Sequence, residues 1–261
     1  MDNTFFETKN LHRFFGGLHA VNNVSVKVPQ GQIKAVIGPN GAGKTTFFNL
    51  IAGTLWPQEG EILFRGKKIT AQKPHVVAGL GIARTFQTTR LFGQMTILEN
   101  IMVGRHLRMR SGFLACMLNL PQTWSQDRES KARALAILRD FGLLECAHET
   151  ASNLPFGRQR LVEIARSLAT EPALLLLDEP AAGLNIYETK ELAELILKIR
   201  DQGITCLVVE HDMSLVMNIS DEVIVLDQGV KIAEGPPRTI QRDPEVIRIY
   251  LGDDHAQNIE S

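Results

Sequence analysis

Short apolar runs bounded by glycine, proline and polar turns alternate along this chain with stretches of helical spacing. Ile33-Lys34-Ala35-Val36-Ile37, Leu174 to Leu177, Ile204 to Val209 and Val223 to Leu226 have strand length and the continuous apolar character of strands buried in a parallel sheet. Val24-Ser25-Val26-Lys27-Val28 alternates like a half-buried strand, and Pro29-Gln30-Gly31 turns from it into the run at Ile33. Glu61 to Gly66 gives another short strand, and together these predict an antiparallel edge beside a parallel core. Asp227-Gln228-Gly229 has the form of a hairpin turn into Val230-Lys231-Ile232. Helical spacing marks Thr46 to Ile51, then Leu161, Ile164, Ala165 and Leu168. It returns at Leu192, Leu195, Ile196 and Ile199, where the helix should end near Gly203.

Between about residues 88 and 152 the texture is helical, with no convincing strand. Lys131 to Phe141 places Ala134, Leu135, Leu138 and Phe141 on one helical face, with Gly142 as the stop. Pro121 and the polar stretch Gln122 to Ser130 are expected to break this segment internally. Phe113 to Leu118 is too short to span a membrane and is expected to pack. The pattern therefore predicts an α/β core over residues 1–87 and 153–261, with a helical subdomain inserted at 88–152. The polar stretch Asp253 to Ser261 is expected to fray.

Composition narrows this little. In 261 residues, 44% are apolar and 22% charged, as in ordinary globular proteins. A net charge of −1, with cations scattered among acids, excludes the basic stripe of a nucleic-acid binder. Cys116, Cys146 and Cys206 are odd in number, widely spaced and set among apolar residues, which favours buried free thiols over disulfides or metal ligands. No apolar run approaches the ~18 residues of a membrane span, and Met1 to Glu7 lacks the basic and apolar regions of a signal peptide. The expectation is a soluble chain whose membrane contact, if any, passes through a partner.

The chemistry is concentrated after the first central strand. Gly38-Pro39-Asn40-Gly41-Ala42-Gly43-Lys44-Thr45 has the spacing G-x-x-x-x-G-K-[ST], with a strand before it and a helix, from Thr46, behind it. Glycines allow successive backbone N–H groups to converge on an oxyanion, and the helix N-terminus adds partial positive charge. Lys44 would reach the β- and γ-phosphates, and the Thr45 hydroxyl would take one Mg²⁺ position. Farther along, Leu174 to Leu177 run into Asp178-Glu179. Two acids after four leucines are costly unless they face a polar site, and such sites form at the C-terminal edge of a parallel sheet. Asp178 suits the Mg²⁺ shell, and Glu179 can orient or deprotonate an attacking water.

With Asn153-Leu154-Pro155-Phe156-Gly157-Arg158-Gln159-Arg160 just upstream of that strand, the chain resembles the ATP-binding subunits of ABC transporters. That family carries a Leu-Ser-Gly-Gly-Gln signature at this place. Gln87 in Arg84-Thr85-Phe86-Gln87 matches its Q-loop, and Ala181-Ala182-Gly183-Leu184-Asn185 matches its D-loop, with Asn185 where Asp is usual. His211 in Val209-Glu210-His211-Asp212 matches the switch histidine. Phe15 matches the adenine-stacking aromatic, with Phe14 as the competing ring. Within the family the chain looks most like the ATPases of branched-chain amino acid importers. Arg90-Leu91-Phe92, Asp178 to Asn185, Glu210-His211-Asp212-Met213 and the ending Ile249-Tyr250-Leu251-Gly252 carry that likeness.

The resemblance implies a P-loop, RecA-like ABC ATPase core that binds ATP and Mg²⁺. It implies Glu179, His211 and Gln87 as catalytic residues, and Thr45, Gln87 and Asp178 around the metal. Phe15, Gly38 to Thr46 and Leu154 to Arg158 would contact nucleotide, the last group across a dimer interface. The implied partners are transmembrane permease subunits, a second ATPase subunit of the same or a similar chain and, indirectly, a solute-binding protein. The implied location is the cytoplasmic face of the cell membrane. The signature departs from the family form: Pro155 replaces Ser, Phe156 the first Gly, and Arg158 the Gln. Proline removes an N–H and a hydroxyl, while Arg158 adds a cation. Other solutes, such as urea, other amino acids or an exported lipid, fit the same ATPase. A nucleic-acid or ribosome-directed ATPase of this family would show two cores in one chain, a long coiled coil or zinc cysteines. A GTP-binding switch protein would show an Asn-Lys-x-Asp tetrad, which is absent from the sequence.

Overall fold

A computed structural model describes residues 4–87, 90–106 and 121–251. Strands β1 (Thr4–Phe15), β2 (Leu18–Pro29), β4 (Glu59–Phe64) and β5 (Lys67–Lys68) form a four-stranded antiparallel sheet in the order β2-β1-β4-β5. Strands β3 (Ile33–Ile37), β6 (Ile82–Arg84), β7 (Leu174–Asp178), β8 (Thr205–Val209), β9 (Glu222–Asp227) and β10 (Val230–Gly235) form a six-stranded sheet. Its order is β10-β9-β3-β8-β7-β6, and every pairing in it is parallel except the β9–β10 hairpin. The antiparallel strands thus make a sheet of their own as well as an edge. Lys231 Nζ and the Gly229 carbonyl tie the two sheets together, at 2.7 Å from Ser25 O and 2.7 Å from Asn22 N respectively.

Alternation along the central strands divides the core. Leu174 and Leu176 face a cluster with Val24, Val26, Phe47 and Phe48, between the sheets and around helix α1 (Lys44–Ile51). Leu175 and Leu177 face the opposite way, into a cluster with α3 (Ile97–Arg105), α4 (Pro121–Asp140), α5 (Phe156–Leu168) and α6 (Ile186–Asp201). Burial on both faces explains why these strands are continuously apolar in sequence. Helix α2 (Pro74–Gly79) precedes β6, while α7 (Met213–Ile219), α8 (Pro237–Ile240) and α9 (Pro244–Leu251) follow later strands. Val216, Ile240 and Val246 of these last helices pack with Ala35, Ile37, Val223 and Val225.

Capping residues set several helix starts. Thr96 and Glu99 make a reciprocal capping box at α3, and Asn185 and Glu188 make another at α6. Asn185 therefore does the capping work that the usual Asp would do. One expectation is corrected: the polar stretch Gln122 to Ser130 does not break the segment, because Pro121 to Asp140 is a single helix with the proline at its first position. Proline lacks only an N–H that has no intrahelical partner there, and its fixed φ suits the first turn. Phe113 to Leu118, Cys116 and the stretch Asp253 to Ser261 lie outside the described residues. Cys146 and Cys206 are buried free thiols, and burial pushes the Cys206 thiol up to about 12.

Candidate functional site at the edge of the parallel sheet

Strands β3, β6, β7 and β8 all end toward one edge, and each hands a sequence motif to it. Beyond β3 the loop from Gly38 turns through left-handed conformations at Gly41 and Gly43, with φ of 84° and 97°, and Gly43 caps α1. A side chain at Gly43 would run into the Ala20 carbonyl oxygen, and one at Gly38 into that of Leu226, so the loop is packed from behind. Lys44 Nζ bends back over the loop and donates to Gly38 O at 2.6 Å and Pro39 O at 3.0 Å. Burial lowers the Lys44 pKa, while the nearby carboxylates of Glu179 and Asp178 oppose that shift. The lysine thus sits in the joint field of the loop and both acids. Burial raises the pKa of Tyr250 on α9, and the nearby Gly38 backbone opposes that shift.

At the end of β7, Asp178 is buried and its Oδ2 lies 2.7 Å from Arg84 Nη2. Glu179 follows in the left-handed region, φ 45°, with its N–H donated to Val209 O at 2.9 Å. Gln87 Nε2 donates to Glu179 Oε2 at 2.8 Å, so the Q-loop side chain and the second acid are brought together. Thr45, Asp178 and Gln87 are hard oxygen donors of the kind Mg²⁺ takes, and Asp178 retains one carboxylate oxygen beyond its Arg84 contact. Among the described residues no group of three or more His, Cys, Asp or Glu side chains is arranged to hold a metal ion by itself.

His211 is exposed after β8, with Nδ1 3.9 Å from Glu210 Oε2. Glu210 is fully buried, and burial raises its pKa against backbone donors that favour the carboxylate. Those donors are Ala181 N at 2.8 Å, His211 N at 3.0 Å and Asp212 N at 3.4 Å. Glu210 thereby joins the histidine turn to the D-loop.

Of Leu154 to Arg158, Pro155, Phe156 and Arg158 are exposed, while Leu154 and Gly157 are buried. Phe156 lines Gly183 of the D-loop, and Gly157 abuts the Glu188 carboxylate. Among the described residues no hydrogen bond joins Leu154–Arg158 to Gly38–Thr46. Pro155 is the N-cap of α5 and offers it no side-chain hydrogen bond. Phe15, at the end of β1, is exposed with the Arg13 guanidinium 4.7 Å over its ring, whereas Phe14 packs on His19 at 4.3 Å. Of the two rings, Phe15 is the one available for stacking.

Sequence reasoning missed Arg84, Arg160, Glu163 and Glu210 as parts of this site, although each adjoins a motif it used. The available signal was a charged residue within an apolar periodic stretch; Arg160 and Glu163 are at most 1% exposed.

A family model described as "ABC transporter" matches residues 21–182, and one described as "Branched-chain amino acid ATP-binding cassette transporter" matches residues 230–256. The high-affinity branched-chain amino acid transport ATP-binding protein of Salmonella typhimurium is 47% identical over 240 residues, covering 92% of this chain and 94% of that protein. A crystal structure of a nucleotide-free ATP-binding cassette from an ABC transporter superposes with a TM-score of 0.84. It is 33% identical and covers 96% of this chain and 100% of its own. A dimeric cassette in a post-hydrolysis state, bound to ADP and Pi, is 26% identical with a TM-score of 0.75, covering 89% and 99%. The matched stretch takes in both the phosphate loop and the paired acids, and on these grounds the chain belongs to the ABC transporter family as an ATP-hydrolysing, nucleotide-binding subunit.

Proposed function

We propose that this chain powers uptake of branched-chain amino acids, as one of two ATPase subunits held at the cytoplasmic face of the membrane by transmembrane permease subunits. The observation that carries the ATPase mechanism is the 2.8 Å bond between Gln87 and Glu179, which unites two motifs 92 residues apart beside Lys44. The solute class is supported by what the similar transport proteins are named for and by the match over residues 230–256.

In this reading Gly38 to Thr46 cradle the phosphates, Lys44 binds their charge, and Phe15 stacks on adenine. Glu179 takes a proton from the attacking water, oriented by Gln87, while His211 contacts the γ-phosphate side. Thr45, Asp178 and the Gln87 amide oxygen would hold Mg²⁺, which neutralises phosphate charge when bound. Leu154 to Arg158 serve the ATP of a second subunit, a reading supported by the dimeric assembly of the post-hydrolysis cassette.

No helix among the described residues is long and apolar enough to cross a membrane; attachment through the permease is supported by the transport proteins this chain is similar to. Residues 88–152 act as an inserted helical subdomain that carries the permease contact. A groove of about 420 Å³ lined by Phe86, Arg90, Phe92, Val103 and Arg166 lies directly beside Gln87 and suits a cytoplasmic permease segment. Closure on ATP would then reach the permease through Gln87. A solute-binding protein delivers the cargo and does not touch this chain.

The test is to purify the chain with its permease subunits, reconstitute them in vesicles, and add the solute receptor. ATP turnover should rise with leucine, isoleucine or valine. Stimulation only by a different solute would overturn the cargo assignment, and an assembled complex without ATPase activity would overturn the mechanism.

A further inference from the structure

Helix α5 carries an unusual stripe. Arg160, Glu163 and Ser167, spaced to share one helical face, are all buried where an apolar stripe is the norm. A fully buried guanidinium costs several kcal/mol of desolvation, and well-packed apolar residues of similar volume often give equal or greater stability. Stability alone therefore does not account for Arg160. Its hydrogen bonds do.

Arg160 Nη1 donates to Phe86 O at 2.6 Å and to Glu163 Oε2 at 3.0 Å. Nη2 donates to Gln87 O at 2.9 Å and to Glu179 O at 3.1 Å. Two of these carbonyls belong to the two residues whose side chains meet at 2.8 Å. One guanidinium thus holds the backbone on both sides of the Gln87–Glu179 contact. The other oxygen of Glu163 accepts from Phe86 N at 3.3 Å and Arg90 N at 3.5 Å, gripping the same loop by its amides. Glu179 needs such support, because its backbone lies in the left-handed region that a non-glycine residue adopts only at a cost.

We infer that Arg160 is a positioning residue for hydrolysis: its planar fork sets the Q-loop and the backbone of Glu179 relative to each other, and ties both to the helix that begins at the signature. This rests on the reading of Glu179 as the group that acts on water. The arrangement lets a displacement of α5, whose first turn faces the second subunit in that reading, shift the Gln87–Glu179 pair without touching the phosphate loop. Lysine at this position would keep the charge but not the fork, since a single ammonium cannot match carbonyls spread in one plane.

The test compares Arg160→Lys, Glu163→Gln and Glu179→Gln in the assembled transporter at saturating ATP. Arg160→Lys should lower kcat about ten-fold or more while KM for ATP stays within about two-fold. Hydrogen exchange should quicken in the segment Phe86–Arg90 and stay unchanged in the segment containing Lys44. Glu163→Gln should shift both readouts in the same direction by less, and serves as the test if the lysine variant fails to fold. Wild-type kcat in both Arg160→Lys and Glu163→Gln, or parallel losses of kcat, ATP affinity and melting temperature, would overturn the proposal and leave a structural pair. Slow turnover in Glu179→Gln beside unaffected Arg160→Lys removes only the positioning role. Wild-type turnover in Glu179→Gln removes the reading of Glu179 and this inference with it.

Discussion

Arg84 and Asp178 form a buried ion pair, Nη2 to Oδ2 at 2.7 Å, across the neighbouring parallel strands β6 and β7. The same guanidinium donates to Asn49 Oδ1 at 2.6 Å and lies between the rings of Phe48 and Phe86, 5.9 and 5.5 Å from their centroids. It is the counter-ion that lets a carboxylate end a run of four buried leucines. It also ties the strand that leads into the Q-loop to the helix behind the phosphate loop.

Arg84→Ala is expected to destabilise the fold by about 3–5 kcal/mol, because it leaves the Asp178 charge buried and unpaired. The shift in denaturation midpoint measures this. Combining it with Asp178→Asn should recover part of the loss, since the second change removes the orphaned charge. Strictly additive losses would show that the two side chains do not depend on each other.

The parts of this fold legible in the sequence were those in which one local pattern sufficed. Ile33 to Ile37 and Leu174 to Leu177 are buried on both faces, so their apolar runs announced them. The phosphate loop was legible because Gly38 and Gly43 stand at the fixed spacing before Lys44, and a side chain at either would strike a backbone carbonyl. Strand β1 was not, because Glu7, Lys9, His12 and Arg13 interrupt its alternation and its register with β2 shifts several times. Helix α4 was hidden by the polar composition of Gln122 to Ser130, which carries no apolar period long enough to announce a helix. Arg84, Arg160, Glu163 and Glu210 were harder to read for another reason. A charged residue in sequence looks like a solvated one, and these are buried only because distant segments supply their partners.

Two glycines of the phosphate loop should respond differently to the same substitution. Gly41→Ala meets open space and suffers only left-handed backbone strain, about 1–2 kcal/mol. Gly43→Ala has that strain and also drives a methyl group into the Ala20 carbonyl, so the loop must move. Melting temperature and ATP affinity should fall much further in Gly43→Ala. Equal effects would mean that the packing behind the loop is not what shapes it.

Lys44→Ala should abolish tight ATP binding while the chain stays folded. Its ammonium is held by two loop carbonyls in the field of Asp178 and Glu179, and no other cation is placed on this loop among the described residues. A fluorescent-nucleotide titration giving near wild-type affinity would contradict the assignment.

Glu179→Gln should bind ATP and hydrolyse it about 10²–10⁴-fold more slowly, since an amide cannot accept the proton of water. The amide can still accept the hydrogen bond from Gln87 Nε2, so the local geometry should survive. Size-exclusion chromatography with ATP is expected to show accumulation of a dimer. Hydrolysis at the wild-type rate in the assembled complex would assign the base elsewhere.

Arg158 is oddly placed for a residue serving its own fold. It is exposed in the first turn of α5, where the helix dipole disfavours a cation, and it makes no ion pair among the described residues. A cation kept in an unfavourable position is best explained by an anion arriving from outside the chain, and in the proposed head-to-tail dimer that anion is the partner's ATP. Arg158→Ala should therefore leave the stability and nucleotide affinity of the isolated chain unchanged, or raise stability slightly, while slowing hydrolysis in the assembled complex. Pro155→Ser with Arg158→Gln should raise turnover again, because a hydroxyl and an amide return to the start of the helix. If the isolated Arg158→Ala chain instead loses ATP binding, the residue belongs to its own site. The head-to-tail arrangement would then fail, since one chain would supply both the phosphate loop and the signature cation to a single nucleotide.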